Sequence, residues 1–170
     1  MGGSKGAYDR QQAVAYADQW WNDFNPAYRK FENDCTNYVS QVLQAGGAMM
    51  KRTGKMDKGW WYQGQGGNKD TWSYSWTVAH SLMLYLAESR PGISAVQVNT
   101  PQELELGDVI CYDFDGDGRW QHNTVVTGFN EQGEPLVNAH TVNSQHRYWR
   151  YEDSTAWTPQ IKYRFFHIIG

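Results

Sequence analysis

The sequence lacks long apolar runs, an excess of basic residues and a set of cysteines. No run of about eighteen apolar residues occurs, so we expect no membrane span. Fifteen lysines and arginines stand against eighteen aspartates and glutamates, and this net charge of −3 provides no basic field for nucleic acid. Two cysteines cannot build a disulfide scaffold, so each must be judged by its surroundings.

Aromatic residues, by contrast, are abundant. Nine Trp, eleven Tyr and six Phe make up 15% of the chain. Such rings either pack in the core with their polar edges at the surface, or line a groove where they stack on sugars and extended chains. Composition alone leaves both interpretations open.

Helical patterns occupy the first half of the chain and strand patterns occupy the second half. Apolar residues recur at helical spacing over 8–25, 35–45 and 75–92, whereas 48–74 has no periodicity and is predicted to be a long surface loop. Short apolar segments separated by turn residues predict strands at 95–99, 107–114, 123–129, 134–142 and 161–169. This order predicts an α+β fold in which N-terminal helices pack on an antiparallel sheet. We expect one domain over 8–170, preceded by a tag or linker remnant at 1–7.

Cys35 is predicted to begin the second helix, with Asn33 or Asp34 as its N-cap. Unpaired backbone N–H groups and the helix dipole favour a thiolate there, and the thiolate is the nucleophilic form of cysteine. The alternative is a buried cysteine in an amphipathic helix, and position alone does not decide between the two. Cys111 lies in the middle of a predicted strand, so we interpret it as structural.

A nucleophilic cysteine needs a base, and His122 is the candidate among the five histidines. It stands where a predicted strand begins, and a strand start can meet a helix N-terminus across a cleft. Asn138 and His140 share one face of the next strand, and either could orient the His122 imidazole. The alternative is that His122 is an exposed turn residue and that the other two only solvate a strand end.

The segment "DFDGDG" carries a second signal. Asp113, Asp115 and Asp117 alternate as in the first half of an EF-hand calcium loop, but the twelfth position is Thr124 and not Glu. Either other groups complete a calcium site, or the segment is an acidic turn made of good turn formers. Without a metal, these carboxylates would favour the imidazolium form of His122, and hence a thiolate–imidazolium pair.

Several segments resemble one family of hydrolases. "DCTNYVSQ" is similar to the Asp-Cys-Ser/Thr signature of bacterial papain-like cell-wall hydrolases of the NlpC and CHAP types. "GDVICYDFDGDGRWQHNTVVTG" resembles their second block, in which Gly-Asp begins one strand and His begins the next. The chain resembles the putative amidase domain family most, in the blocks "NPAY", "DCTNYVSQVLQAGG", "WWY", "GDVICYDFDGDG", "QHNTVVTG" and "AHT".

The resemblance implies a papain-like fold with Cys35 as the nucleophile and His122 as the base. For the third member, the alignment of "LVNAH" on the corresponding strand of the relatives favours Asn138, whereas the "AHT" block favours His140. We give His140 a slight preference.

The expected mechanism is acyl transfer. Cys35 attacks an amide carbonyl, and the Cys35 backbone N–H and the Tyr28 hydroxyl hold the oxyanion. His122 protonates the leaving amine and then activates water. Trp60 and Trp61, from the "WWY" block, are expected to bind the substrate together with Tyr28.

We therefore predict a cysteine hydrolase that cleaves an amide bond in bacterial peptidoglycan or another peptide. We expect it to act outside the cell or at the cell wall, as a monomer, with no required cofactor and with Ca²⁺ as an open option. Two alternatives remain: a protease or acyltransferase with the same dyad, and a non-catalytic cell-wall or glycan-binding module in which the aromatic residues make the contacts.

Overall fold

The structure is a computed structural model that describes residues 7–88 and 92–169. The helices are α1 (Arg10–Trp20), α2 (Cys35–Ala45), α3 (Tyr74–Thr77) and α4 (Ala79–Ala87). The strands are β1 (Tyr62–Gln63), β2 (Thr71–Trp72), β3 (Ser94–Val98), β4 (Val109–Asp113), β5 (His122–Phe129), β6 (Pro135–Ala139), β7 (Ser144–Tyr148) and β8 (Lys162–Ile169). Apart from Ala7, the predicted remnant at 1–7 lies outside the described residues.

Six of the strands form one antiparallel sheet in the order β3-β8-β4-β5-β6-β7, while β1 and β2 form a separate hairpin. The predicted α+β fold, with helices first and an antiparallel sheet second, is thereby confirmed, and its papain-like character stays a prediction. Among the residues that the structure describes, no helix is long and apolar enough to cross a bilayer.

The sheet has an apolar core on each face because successive strand residues point to opposite sides. Helix α2 packs on one face and is buried along its whole length up to Leu43. The core on this face includes Val39, Val42, Val109, Cys111 and Val125. The core on the opposite face includes Ile110, Tyr112, Val126, Val137, Trp149 and Phe165.

Three elements differ from the sequence prediction. The third helix is divided into α3 and α4 because Val78 is extended, with φ −113° and ψ 124°; its predicted end at Pro91 lies outside the described residues. The predicted loop 48–74 contains the β1–β2 hairpin. Strand β7 was missed because its segment is polar and lies at the sheet edge, where only one neighbour constrains it.

Asp108 joins the N-terminal helix to the sheet. Its carboxylate is fully buried and lies 2.7 Å from Arg10 Nη1 and 2.9 Å from His167 Nδ1. It also accepts the backbone N–H groups of Glu105 and Ile168, at 2.7 and 2.9 Å. Because a buried charge is costly unless it is paired and hydrogen-bonded, this carboxylate holds helix α1 and strand β8 in one arrangement.

We expect Asp108→Asn to lower the free energy of unfolding by about 3 kcal/mol, because the amide cannot pair with Arg10 or accept the same set of hydrogen bonds. Urea denaturation at neutral pH measures this loss. The control is Glu105→Gln, since Glu105 also faces Arg10 but its side chain is 60% exposed. This control should change the free energy by less than about 1 kcal/mol. Equal losses in the two variants would contradict the role given to Asp108.

Candidate active site

Cys35 is the first residue of α2 and is 7% exposed. The side chain of Asp34 holds the turn before Cys35. Its Oδ1 accepts from the Phe31 backbone N–H at 3.2 Å and from Asn37 Nδ2 at 3.0 Å. On the other side of Cys35, Thr36 Oγ1 donates to Asn123 Oδ1 on β5 at 2.7 Å. The thiol is therefore fixed between a helix N-terminus and a sheet strand.

His140 is bonded to the segment around Cys35 and not to His122. Its Nδ1 lies 2.6 Å from Asp34 Oδ2, and its Nε2 lies 2.6 Å from the Trp20 carbonyl oxygen. Both nitrogens of the ring therefore already have partners. His140 links the end of α1 to the start of α2, which is a structural role that sequence spacing did not predict.

Asn138 likewise bonds away from His122. Its Oδ1 accepts from Thr127 Oγ1 at 2.7 Å and from the His146 backbone N–H at 2.9 Å, and its Nδ2 donates to Asp18 Oδ1 at 2.9 Å. Asn138 lies in β6 and His140 directly follows the end of that strand, and the side chains of both residues bond to other partners. The geometry does not support either residue as the one that orients His122.

His122 is the first residue of β5, and its side chain packs in an aromatic cluster with Tyr112 and Phe114. Its Nε2 lies 2.9 Å from the Tyr151 hydroxyl. His122 and Cys35 line one cleft of about 370 Å³. The other lining residues include Asn33, Gln121, Arg147, Tyr151 and Asp153.

The predicted aromatic substrate contacts lie elsewhere. Trp60 and Trp61 are 0% and 2% exposed and pack inside the protein, so their assignment to a substrate groove was wrong. The Tyr28 hydroxyl donates to Gln44 Oε1 at 2.6 Å. Gln44 is nine residues after Cys35 in the same helix, about 13 Å along its axis, so Tyr28 cannot donate to an oxyanion at Cys35.

The three aspartates of the acidic turn do not converge on one point. Asp113 accepts from three backbone N–H groups of its own turn at 2.8 to 3.3 Å. Asp115 accepts from Gln121 Nε2, and Asp117 accepts from the backbone N–H of Arg119. Over residues 7–88 and 92–169, no group of three or more His, Cys, Asp or Glu residues is placed to hold a metal ion. The carboxylates of this turn therefore give no support to a calcium site, and the possible Ca²⁺ ion stays a prediction.

Two cleft residues were missed in the sequence. Tyr151 and Arg147 belong to the polar stretch after β6, where no periodicity indicated a strand or a site. The signal that the stretch does carry is its alternation of aromatic and basic residues, "HRYWRY" at 146–151. Such rings and guanidinium groups pair with each other, and here the Arg147 guanidinium carbon lies 3.8 Å from the centre of the Tyr151 ring.

Comparison with known proteins identifies the family of the chain. The sequence pattern of the family described as "putative amidase domain" matches residues 7–166. The chain belongs to this family. The amidase domain is also 53% identical, over 162 residues, to the uncharacterized protein YhbB of Bacillus subtilis (strain 168). That match covers 95% of the chain and 50% of YhbB, so the chain spans about half the length of this relative. No solved structure matches the chain.

Membership of this family suggests hydrolysis of an amide bond. The pKa values of Cys35 and His122 indicate the protonation states of these two side chains in the free domain. Burial raises the pKa of the Cys35 thiol, and hydrogen bonds from Thr36 and from the Asn123 backbone offset this only in part. Burial, together with the nearby Arg147, lowers the pKa of His122 to about 3. Thiol and imidazole are therefore both neutral at rest. Burial therefore opposes the ion pair that the acidic turn would favour, because it disfavours the charged form of both groups.

The buried neutral imidazole makes stability depend on pH. The unfolded chain protonates a histidine near pH 6.5, whereas folded His122 resists protonation down to about pH 3. Between these values the unfolded state binds more protons, so the free energy of unfolding should fall as pH falls. One such group contributes a slope of at most about 1.4 kcal/mol per pH unit.

We expect His122→Gln to show a shallower loss of stability than the wild type from pH 6.5 downward, measured by urea denaturation at a series of pH values. The matched control is His146→Gln, because the His146 side chain is 47% exposed. This control should change the pH dependence less than His122→Gln does, because the 3.3 Å contact of His146 with Asp18 is partly exposed and such ion pairs contribute little. Parallel curves for the wild type and His122→Gln would contradict the burial argument.

Proposed function

We propose that this domain hydrolyses an amide bond of bacterial peptidoglycan, with Cys35 as the nucleophile and His122 as the general base and acid. One observation carries the proposal: a cysteine at a helix N-terminus and a histidine at a strand start line the same cleft. Nucleophilic catalysis by cysteine needs this combination of a thiol, a base and backbone N–H donors.

The reaction proceeds through a thioester. As Cys35 Sγ bonds to the amide carbon, the thiol proton passes to the His122 imidazole. The carbonyl oxygen becomes an oxyanion and accepts from the Cys35 backbone N–H, which has no acceptor within the helix. His122 then gives the proton to the leaving nitrogen as the C–N bond breaks. A water molecule attacks the thioester, His122 takes its proton, and Cys35 leaves as a thiol again.

Proton transfer must accompany attack, since the resting pair is neutral. The Asn123 backbone N–H contacts the Cys35 sulfur and stabilises negative charge on it as the S–H bond weakens. The positive charge that develops on His122 is disfavoured by burial and by Arg147. The imidazolium is therefore short-lived and returns its proton readily to the leaving amine.

The choice of peptidoglycan is supported by the resemblance of the segments around Cys35 and His122 to NlpC and CHAP hydrolases. The cleft also suits a peptide better than a polyanion, because its one cation, Arg147, already pairs with Asp153 at 3.0 Å. We further propose that the domain acts as a monomer where this substrate lies, outside the cell or in its wall. Each step above uses only residues of this chain and a water molecule.

The alternative of a non-catalytic binding module depended on exposed aromatic residues. The burial of Trp60 and Trp61 weakens this alternative. A protease with the same dyad differs from the proposed enzyme only in its substrate. Digestion of purified peptidoglycan, followed by mass spectrometry of the released fragments, separates these functions.

We expect Cys35→Ala to reduce release of peptidoglycan fragments by at least about 10³-fold, because the nucleophile is removed. The control is Cys111→Ser, which removes the other cysteine but keeps an acceptor for Asn123 Nδ2. This control should retain activity. Full activity in Cys35→Ala would overturn the proposed mechanism, and a wild type that cleaves peptides but no peptidoglycan would favour the protease.

We also expect the rate of Cys35 alkylation by iodoacetamide to rise continuously between about pH 6 and pH 10, because burial raises the thiol pKa above its usual value near 8.5. Mass spectrometry of the labelled peptide measures this rate. A cysteine peptide with blocked ends, whose thiol pKa is about 8.5, serves as the control, and its rate should level off at a lower pH. A plateau of the Cys35 rate on the acidic side would indicate a resting ion pair and would contradict the neutral state.

A further inference from the structure

The Tyr151 hydroxyl is the side-chain group that contacts the base His122 through a hydrogen bond. Tyr151 follows β7 and lines the cleft, its side chain is 3% exposed, and its oxygen lies 2.9 Å from His122 Nε2. A hydroxyl can accept from an N–H or donate to a bare ring nitrogen. The contact therefore influences which imidazole nitrogen carries the proton.

Tyr151 is held in this place by several contacts. Its backbone φ is 61°, in the left-handed region that costs a residue with a side chain about 1 kcal/mol or more. Such a conformation persists where the surroundings over-determine it. The ring packs on Tyr112 at 4.7 Å between centroids and carries the Arg147 guanidinium on its face. Asp153 in turn binds Arg147 at 3.0 and 3.1 Å.

The chemistry of the hydroxyl suits a neutral imidazole. Burial raises the pKa of Tyr151, so its hydroxyl keeps its proton at physiological pH. A carboxylate at this position would stabilise the imidazolium, whereas a neutral hydroxyl orients the ring without adding charge. This agrees with the low pKa of His122. Because the Tyr151 hydroxyl occupies Nε2, Nδ1 is the ring nitrogen that has no hydrogen-bond partner among the described residues, and His122 shares the cleft with Cys35.

We propose that Tyr151 is the positioning residue of this active site: its hydroxyl accepts from His122 Nε2–H, which leaves bare Nδ1 to take the Cys35 proton. Tyr151 thus takes the role for which the family resemblance suggested His140 or Asn138. The inference rests on the proposed function for the role of Cys35. The tautomer of His122, however, is a property of the resting domain and can be measured without substrate.

The test compares Tyr151→Phe with Tyr163→Phe. Tyr163 belongs to the same aromatic cluster, but its hydroxyl donates to the Arg150 carbonyl oxygen at 2.6 Å, so its loss should leave His122 unchanged. Nitrogen-15 spectra of the labelled domain, assigned with His122→Gln, should show Nε2–H and bare Nδ1 in the wild type. In Tyr151→Phe the Nε2–H proton should exchange faster with solvent. The value of kcat on peptidoglycan should fall by about 10- to 100-fold with little change in KM.

An Nδ1–H tautomer in the wild type would overturn the inference. So would a Tyr151→Phe variant whose Nε2–H exchange and kcat match those of Tyr163→Phe. If Cys35→Ala stayed active while Tyr151→Phe altered His122, the proposed function would fail and the positioning of the imidazole would stand. If Cys35→Ala were inactive and Tyr151→Phe changed nothing, only this inference would fail.

Discussion

The start of helix α2 is fixed to the sheet by buried hydrogen bonds on both sides of Cys35, and the site depends on this attachment. Asp34 bonds to His140 at 2.6 Å, and Thr36 bonds to Asn123 at 2.7 Å. All four side chains are buried, so a shift of the helix along the sheet would leave each polar group without a partner and would lower the stability of the fold. A helix held only by apolar contacts could shift along the sheet and find similar contacts, whereas these polar pairs form in only one position of α2 on the sheet. The thiol position follows from that position of the helix.

The alternation of strand β5 then explains how the two reactive groups meet. Asn123 points to the helix side of the sheet, where it receives Thr36, and the preceding residue His122 points into the aromatic cluster on the other side. The groups share a cleft because both lie at the end of the sheet. The thiol and the imidazole therefore lie in different buried environments, and burial disfavours the charged form of each.

The sequence was sufficient to predict elements whose pattern is local. Helix α2 follows from its apolar face and from Gly46-Gly47 at its end, and five strands of the large sheet follow from short apolar runs. Long-range partners could not be predicted in this way. Composition cannot say whether Trp60 lies in the core or in a groove, because both sites accept the same ring. Spacing predicted His140 within the strand, whereas β6 ends at Ala139, and the bond of His140 to Asp34 depends on where α2 lies on the sheet. Tyr151 is 29 residues from His122 in a segment without periodicity.

The buried carboxylate of Asp108 has a consequence for access to the cleft. Its bonds to Arg10 and Ile168 hold the first helix and the last strand together at one end of the sheet. The Asp9 backbone N–H bonds to the Gly46 carbonyl oxygen, which lies at the opposite end of α2 from Cys35. Tyr8 and Ile169, near the two ends of the described chain, therefore lie on the side of the fold away from Cys35 and His122. The approach to this cleft is therefore clear of both residues, neither of which lines it.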